Sequence, residues 1–239
     1  MILQSGTETV LAIPDMQCPF EHEDTVPFLK AVAKKVKPTK VVCIGDSLDC
    51  HAMSRWQVDP DGYSAREEYE RGIRSMKRIY KLFPEAVEVI SNHNERIAKR
   101  AFGAGIPQGF LKSYREIMQY PEGWRIERDV EIDGVMYEHG HSQGGVHAAY
   151  NLAIHNGQST VIGHHHSHAG IHFIANRRKM IWGMNVGCLI DVEAYAFAYA
   201  REAKFKPTLG CGVVVKGVPY FIPMLLDGAK RWTGQLFLP

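Results

Sequence analysis

Short apolar runs recur along this chain, and each ends abruptly in small polar or ligand-type residues. Thr9–Pro14 (TVLAIP), Lys40–Ile44 (KVVCI) and Ala86–Ile90 (AVEVI) read as buried strands of a parallel sheet, because they lack the alternation of a half-exposed strand. Between them, apolar residues return at helical spacing. Asp24–Lys37 carries Val26, Phe28, Leu29, Val32 and Val36 on one face and collects its lysines in the last turns, where they suit the helix dipole. Tyr63–Phe83 presents Tyr69, Ile73, Met76, Ile79, Tyr80 and Phe83 as one stripe. Glu95–Tyr120 reads as one or two helices, interrupted by the glycine-rich stretch 103–109. Strand, helix, strand is a βαβ unit, so the loops after successive strands are expected at one edge of the sheet, where α/β proteins bind ligands.

From Trp124 onward the pattern shortens. Val130–Ile132 and Val135–Tyr137 flank an Asp133-Gly134 pair, a hairpin signal. Gly144–Asn156 is expected to be helical, and Ser159–Ile162, Ile171–Ala175, Met180–Met184, Cys211–Lys216 and Val218–Ile222 to be strands. No repeat or low-complexity linker interrupts residues 1–239, so one domain is the expectation. Lys and Arg number 28 against 26 Asp and Glu, a net charge of +2 that argues neither for nor against a nucleic-acid partner. The five cysteines form no CxxC pair and no disulfide-type spacing, which points to reduced thiols and a cytoplasmic setting. There is no leader-like start and no membrane-length apolar stretch, so a soluble protein without a membrane partner is expected.

The strand ends carry the chemistry. Asp15 and Gln17 follow the first strand and point to the same side if the backbone stays extended. Gly45-Asp46, with Asp49, follows the second; Asn92-His93 follows the third; His139-Gly140-His141 ends the hairpin; and Val161–His168 (VIGHHHSH) sets four histidines after a strand. Each has a plainer use: Asp15 as a turn former, Asp49 as a helix cap, the histidines as a solvated tract. Carboxylates converging at a sheet edge repel unless a cation sits between them, and imidazole, amide and carboxylate donors suit Mn²⁺, Fe or Zn²⁺ rather than a thiolate site. His51, Arg55 and Trp56 lie on a loop that can overhang the edge, while His147 and His155 sit away from any strand end.

Taken in order, Asp15-x-Gln17, Gly45-Asp46-x-x-Asp49, Asn92-His93, His139 and Gly163-His164-x-His166 resemble the DxH, GDxxD, GNH(E/D), H and GHxH blocks of the calcineurin-like metallophosphoesterases. The resemblance spans about residues 9–190. It implies a four-layer αββα sandwich, two mixed β-sheets flanked by helices, and a dinuclear metal centre. One metal would take Asp15, Gln17, Asp46 and His166; the other would take Asp46, Asn92, His139 and His164, with Asp46 bridging. His93 would contact the phosphate and protonate the leaving oxygen, with Asp49 orienting it. Two divalent cations about 3.5–4 Å apart can hold a bridging hydroxide as nucleophile. The implied activity is phosphoester hydrolysis, by a phosphodiesterase or phosphatase acting on a nucleotide, an oligonucleotide or a phosphoprotein. The alternatives are a small metal-dependent nuclease and a silent scaffold that keeps the fold and binds a protein partner.

Three positions depart from the pattern. Gln17 replaces a histidine, which shifts preference toward the harder Mn²⁺ or Mg²⁺, with Mn²⁺ the first expectation. Ser91 replaces a glycine and Asn94 an acid, leaving Glu95 to cap the following helix. His165 and His168 are additional imidazoles, expected to be neighbours rather than ligands.

Overall fold

A computed structural model describes residues 6–54, 61–194 and 204–237. Arg55 and Trp56 of the expected overhanging loop lie outside the described residues.

Three strand–helix–strand crossovers build the first sheet. β1 (Thr9–Ile13) passes to α1 (Thr25–Val36), then β2 (Lys40–Cys43), α2 (Ala65–Leu82), β3 (Ala86–Val89), α3 (Arg96–Gly103), α4 (Tyr114–Met118) and β4 (Trp124–Glu127). The four strands are parallel and lie in sequence order; β10 (Gly210–Val215) and β11 (Val218–Pro223) extend the sheet antiparallel beyond β1. The second sheet has the order β5 (Val130–Ile132), β6 (Val135–Tyr137), β7 (Ser159–Ile162), β9 (Met180–Asn185), β8 (Gly170–Ala175). Its strands mix parallel and antiparallel pairing, and α5 (Ala148–Asn156) connects β6 to β7.

The sheets pack face to face. Val10, Ala12, Val42, Ile44 and Val89 from the first meet Val135, Tyr137, Val161, Trp182 and Met184 from the second in one buried cluster. On its outer face the first sheet is covered by Phe28, Leu29 and Val32 of α1, Ile73, Met76 and Tyr80 of α2 and Met118 of α4. On the far side, Ala148, Ala149 and Leu152 of α5 pack against Ile162. The result is the expected αββα layering. The parallel strands read as unbroken apolar runs because both of their faces are covered.

Strand and helix ends fall within a few residues of the expected ones, with two differences. β4 had no separate signal, because Trp124–Glu127 (WRIE) alternates over one short stretch; Trp124 is fully buried and its indole donates to the Phe83 carbonyl at 2.7 Å. The helix expected from Gly144 begins only at Ala148, since Gly144 and Gly145 resist helical ordering. Among the described residues no helix is long and apolar enough to cross a membrane.

Trp182 spans the layer between the sheets, and its indole donates to the Gly217 carbonyl at 3.1 Å. Trp182→Ala is expected to cost about 3–5 kcal/mol of unfolding free energy, the usual penalty for an unfilled aromatic site. Urea denaturation measures it; a loss below about 1 kcal/mol would mean the sheets close over the gap.

Candidate metal centre

The site lies where the carboxyl ends of β1, β2, β3, β6 and β7 meet. The backbone leaves these strands sharply. Gly45 has φ +93°, and a side chain there would press against Ser91 (2.6 Å), the Val89 carbonyl (3.0 Å) and His139 Nδ1 (3.1 Å). Gly163 is just as confined, because a Cβ would run into the Asp15 carboxylate. Gln17 (φ +48°), Asp46 (φ +47°) and His164 (φ +66°) are non-glycine residues in the left-handed region. That conformation is disfavoured for a side-chain-bearing residue and concentrates at functional sites.

Two groups of donors form beside each other. In the first, His166 Nε2 lies 2.9 Å from Asp15 Oδ2 and 3.4 Å from Gln17 Nε2, and Asp15 also accepts the His164 backbone N–H at 3.0 Å. Gln17 does not reach this point along an extended strand as the sequence suggested; a left-handed turn, pinned by its N–H donating to the Asp46 carbonyl (2.8 Å), brings it there. In the second, Asp46, His139 and His164 offer donor atoms all within 4.8 Å of one another. Asn92 Oδ1 joins at 2.8 Å from His139 Nε2, which is itself 3.4 Å from Asp46 Oδ2. His139 Nδ1 donates to the Ile44 carbonyl at 2.7 Å, which presents Nε2 to the site.

The electrostatics suit a cation. Burial alone would raise the Asp46 carboxyl, but His139 and His93 outweigh it and hold the group well below its usual range. Burial likewise opposes charge on His139, and Asp46 overcomes this, moving His139 up to about 9. His164 is pushed down to about 4 by burial and by the neighbouring His139, so its ring is neutral and available as a ligand. Gln17 Oε1 is buried without a hydrogen-bond partner. An orphaned oxygen in a site of carboxylates and imidazoles fits a bound cation.

His93 sits beside this pair. Its Nδ1 lies 3.2 Å from Asp49 Oδ1, off the line of a hydrogen bond, and its Nε2 lies 3.5 Å from Asp46 Oδ2. Arg96, which lies outside the five sequence blocks, donates to His93 Nε2 at 2.6 Å and to the Asp49 carbonyl at 2.6 Å. Arginine only donates, so Nε2 accepts and the ring proton rests on Nδ1. The available signal was position: Arg96 opens a helix three residues after His93. Asp49 is buried beside His93 and caps no helix among the described residues; the cap position before the next helical turn is Cys50, and Ser64 caps α2. Glu95 stands at the start of α3 without capping it, and its carboxylate pairs with Lys99 at 2.6 Å. His165 Nε2 donates to the Gln143 carbonyl at 2.9 Å, while His168 packs on Phe205.

Ser91 and Asn94 tie the loop down. Ser91 Oγ accepts the Asp46 N–H at 3.0 Å and donates to Asn94 Oδ1 at 2.8 Å; the Asn94 amide donates to the Tyr114 hydroxyl, which donates to Glu88 Oε1 at 3.2 Å. Tyr120 donates to the other Glu88 oxygen at 2.5 Å. Glu88, the lone acid in the apolar third strand, was the overlooked signal. Burial pushes its carboxyl up to about 7 despite these hydrogen bonds.

No family model matches the chain. The Gene 54 protein of Mycobacterium phage D29 is 24% identical over 241 residues, covering 85% of this chain and 88% of that protein. The Gene 54 protein of Mycobacterium phage L5 is 24% identical over 237 residues, covering 84% and 86%. Among solved structures, Vacuolar Protein Sorting 29 from Cryptosporidium parvum aligns at 14% identity and a TM-score of 0.48, over 98% of this chain and 95% of that one.

The raised Glu88 carboxyl makes a stability prediction. Between its ordinary 4.5 and about 7 the folded state holds this proton and the unfolded chain does not, so the Glu88 contribution to stability falls as pH rises through that window. At about 1.4 kcal/mol per pH unit the loss is roughly 3 kcal/mol. Urea unfolding of the parent and of Glu88→Gln across that range should show this slope in the parent alone; parallel pH profiles would place the charge elsewhere.

Proposed function

We propose that this chain is a metal-dependent phosphoester hydrolase of the calcineurin-like metallophosphoesterase type. The observation that carries the reading is the pair of adjacent donor groups, Asp15, Gln17 and His166 beside Asp46, Asn92, His139 and His164, with His93 against both Asp46 and Asp49. The first group and Asp46 would hold one divalent ion, and Asp46, Asn92, His139 and His164 a second. When bound, two such ions activate a water for attack on phosphorus and offset the charge that develops as the ester bond breaks. Mn²⁺ is the first candidate for this mixed oxygen and imidazole set, with Fe, Zn²⁺ or Mg²⁺ as the others.

The remaining roles belong to side chains. His93 would protonate the leaving oxygen, with buried Asp49 holding the imidazole. Arg96 occupies His93 Nε2 at 2.6 Å, so it has to let go before Nε2 can carry a proton. A phosphoryl oxygen is a stronger, charge-assisted acceptor for a guanidinium than a neutral ring nitrogen. Substrate binding would therefore draw Arg96 onto the phosphate and free His93 in the same movement. Phosphodiesters, phosphomonoesters and phosphoproteins all offer that group.

Hydrolysis of bis-p-nitrophenyl phosphate and of p-nitrophenyl phosphate, with Mn²⁺ and with chelator, tests the reading. Turnover is expected with Mn²⁺ and should be lost with chelator. His93→Ala should lower it about 10²-fold or more. Asp46→Asn and His164→Ala should each deplete bound metal measured by elemental analysis. Full metal retention in both variants would sink the site, and a folded, metal-loaded chain without turnover would favour a non-catalytic scaffold.

A further inference from the structure

Beside Asp49 lies a second histidine to which the hydrolase reading gives no part. The sequence puts His51 on a loop that can overhang the sheet edge, but its imidazole is turned inward. The side chain is only 15% exposed, and its Nδ1 lies 3.7 Å from Asp49 Oδ2. The other oxygen of that carboxylate, Oδ1, lies 3.2 Å from His93 Nδ1 and 3.5 Å from Arg96 Nη1. Buried Asp49 thus stands between two imidazoles, one on each oxygen.

The backbone fixes His51 in this place. Cys50 adopts a left-handed conformation (φ +53°) that leads the chain into the short helical turn His51–Met53. Glu68, buried on α2, clamps that turn: its Oε1 accepts the His51 N–H at 2.6 Å and its Oε2 the Ala52 N–H at 2.9 Å. Burial opposes the Glu68 charge and raises its carboxyl, and these two backbone donors work against that. Ahead of the turn, the Asp49 N–H donates to the Cys18 carbonyl at 3.1 Å. The tautomer follows from the surroundings. His51 Nε2 is buried without a hydrogen-bond partner. A proton there would have no acceptor and would turn the Nδ1 lone pair toward a carboxylate oxygen, so the neutral ring carries its proton on Nδ1, facing Asp49.

The consequence concerns the moment Arg96 leaves. Among the described residues it is the only lysine or arginine within ion-pair reach of the Asp49 carboxylate. Once a phosphate draws it away, the carboxylate can rotate about its soft terminal torsion and lose His93. A donor on the opposite oxygen resists that rotation. At 3.7 Å His51 stands just beyond hydrogen-bond length, so it has to close in as the guanidinium withdraws. Resting on the hydrolase reading above, we infer that His51 is a positioning residue: its Nδ1–H holds Asp49 Oδ2 and keeps Oδ1 aimed at His93 Nδ1 while His93 delivers its proton from Nε2.

Steady-state turnover of bis-p-nitrophenyl phosphate by the intact chain with Mn²⁺ reads the role. His51→Ala should lower kcat about tenfold, the lower end of the loss for a supporting hydrogen bond, and leave KM unchanged. His51→Asn, whose amide sets a donor where Nδ1 sits, should restore most of it. In an Asp49→Ala background His51→Ala should cost nothing more, because His51 reaches the reaction only through that carboxylate. Equal losses with and without Asp49, or full activity in His51→Ala, would overturn the inference and leave the hydrolase reading intact. Long-range ¹H–¹⁵N NMR of the histidine-labelled chain without metal, at mildly alkaline pH, reads the contact apart from the chemistry. The His51 ring proton should sit on Nδ1, and a proton on Nε2 would also overturn the inference. No turnover in the parent would overturn the hydrolase reading and the positioning role with it, while a proton on His51 Nδ1 would still uphold the contact with Asp49.

Discussion

Val42, Ile44 and Val89 on one sheet press against Tyr137, Val161 and Met184 on the other, and this apolar layer fixes how far each strand runs before it meets solvent. Packing of this density does not slide, since a shift by one residue would turn every buried side chain of a strand to its other face. The carboxyl ends of strands from two different sheets are therefore held at one edge. Asp15, Asp46 and Asn92 arrive from the first sheet and His139, His164 and His166 from the second. Neither sheet alone carries the donors of either group.

Against that rigid layer the loops are forced into conformations that cost energy. The left-handed backbone at Gln17, Asp46 and His164 is held by specific bonds: the Gln17 N–H to the Asp46 carbonyl, the Asp46 N–H to Ser91, the His164 N–H to Asp15. These bonds link the strand ends to each other rather than to their own strands. The Asp15 carboxylate thus accepts a backbone donor as well as facing His166, and Asp46 accepts the His93 N–H at 3.2 Å while His139 and His93 hold its carboxyl well below the usual range despite burial. Glu88 shows the opposite arrangement. It accepts from neutral donors, among them the Tyr114 and Tyr120 hydroxyls, and burial raises its carboxyl to about 7.

Much of the layering was legible because the signals are local. Unbroken apolar runs between amphipathic helices specify a covered parallel sheet, and Asp133-Gly134 specifies the hairpin at β5 and β6. β4 was not legible, since one short alternating stretch carries too little periodicity, and its place at the sheet edge depends on Trp124 filling a gap against α2. At the site, the residue types at strand ends could be read, and so could the two glycines that bring them close, Gly45 and Gly163. The turn at Gln17 could not, because a glutamine with positive φ leaves no mark in sequence; only the contact with Asp46, far along the chain, imposes it. Arg96 and the chain from Ser91 through Asn94 and Tyr114 to Glu88 were hidden for the same reason, being partners across elements rather than along them.

Ser91 and Asn94, which looked like weakened versions of a pattern, have a structural logic of their own. Ser91 gives the Asp46 N–H an acceptor that a glycine could not, and Asn94 accepts from Ser91 while donating to Tyr114, a double role that an ionised acid cannot fill. An acid at position 94 would also set a second carboxylate near Glu88, which is already strained by burial. The two replacements are therefore coupled. Ser91 needs an acceptor at position 94, Tyr114 needs that same residue to donate, and asparagine meets both demands without adding charge beneath the metal-ligand loop.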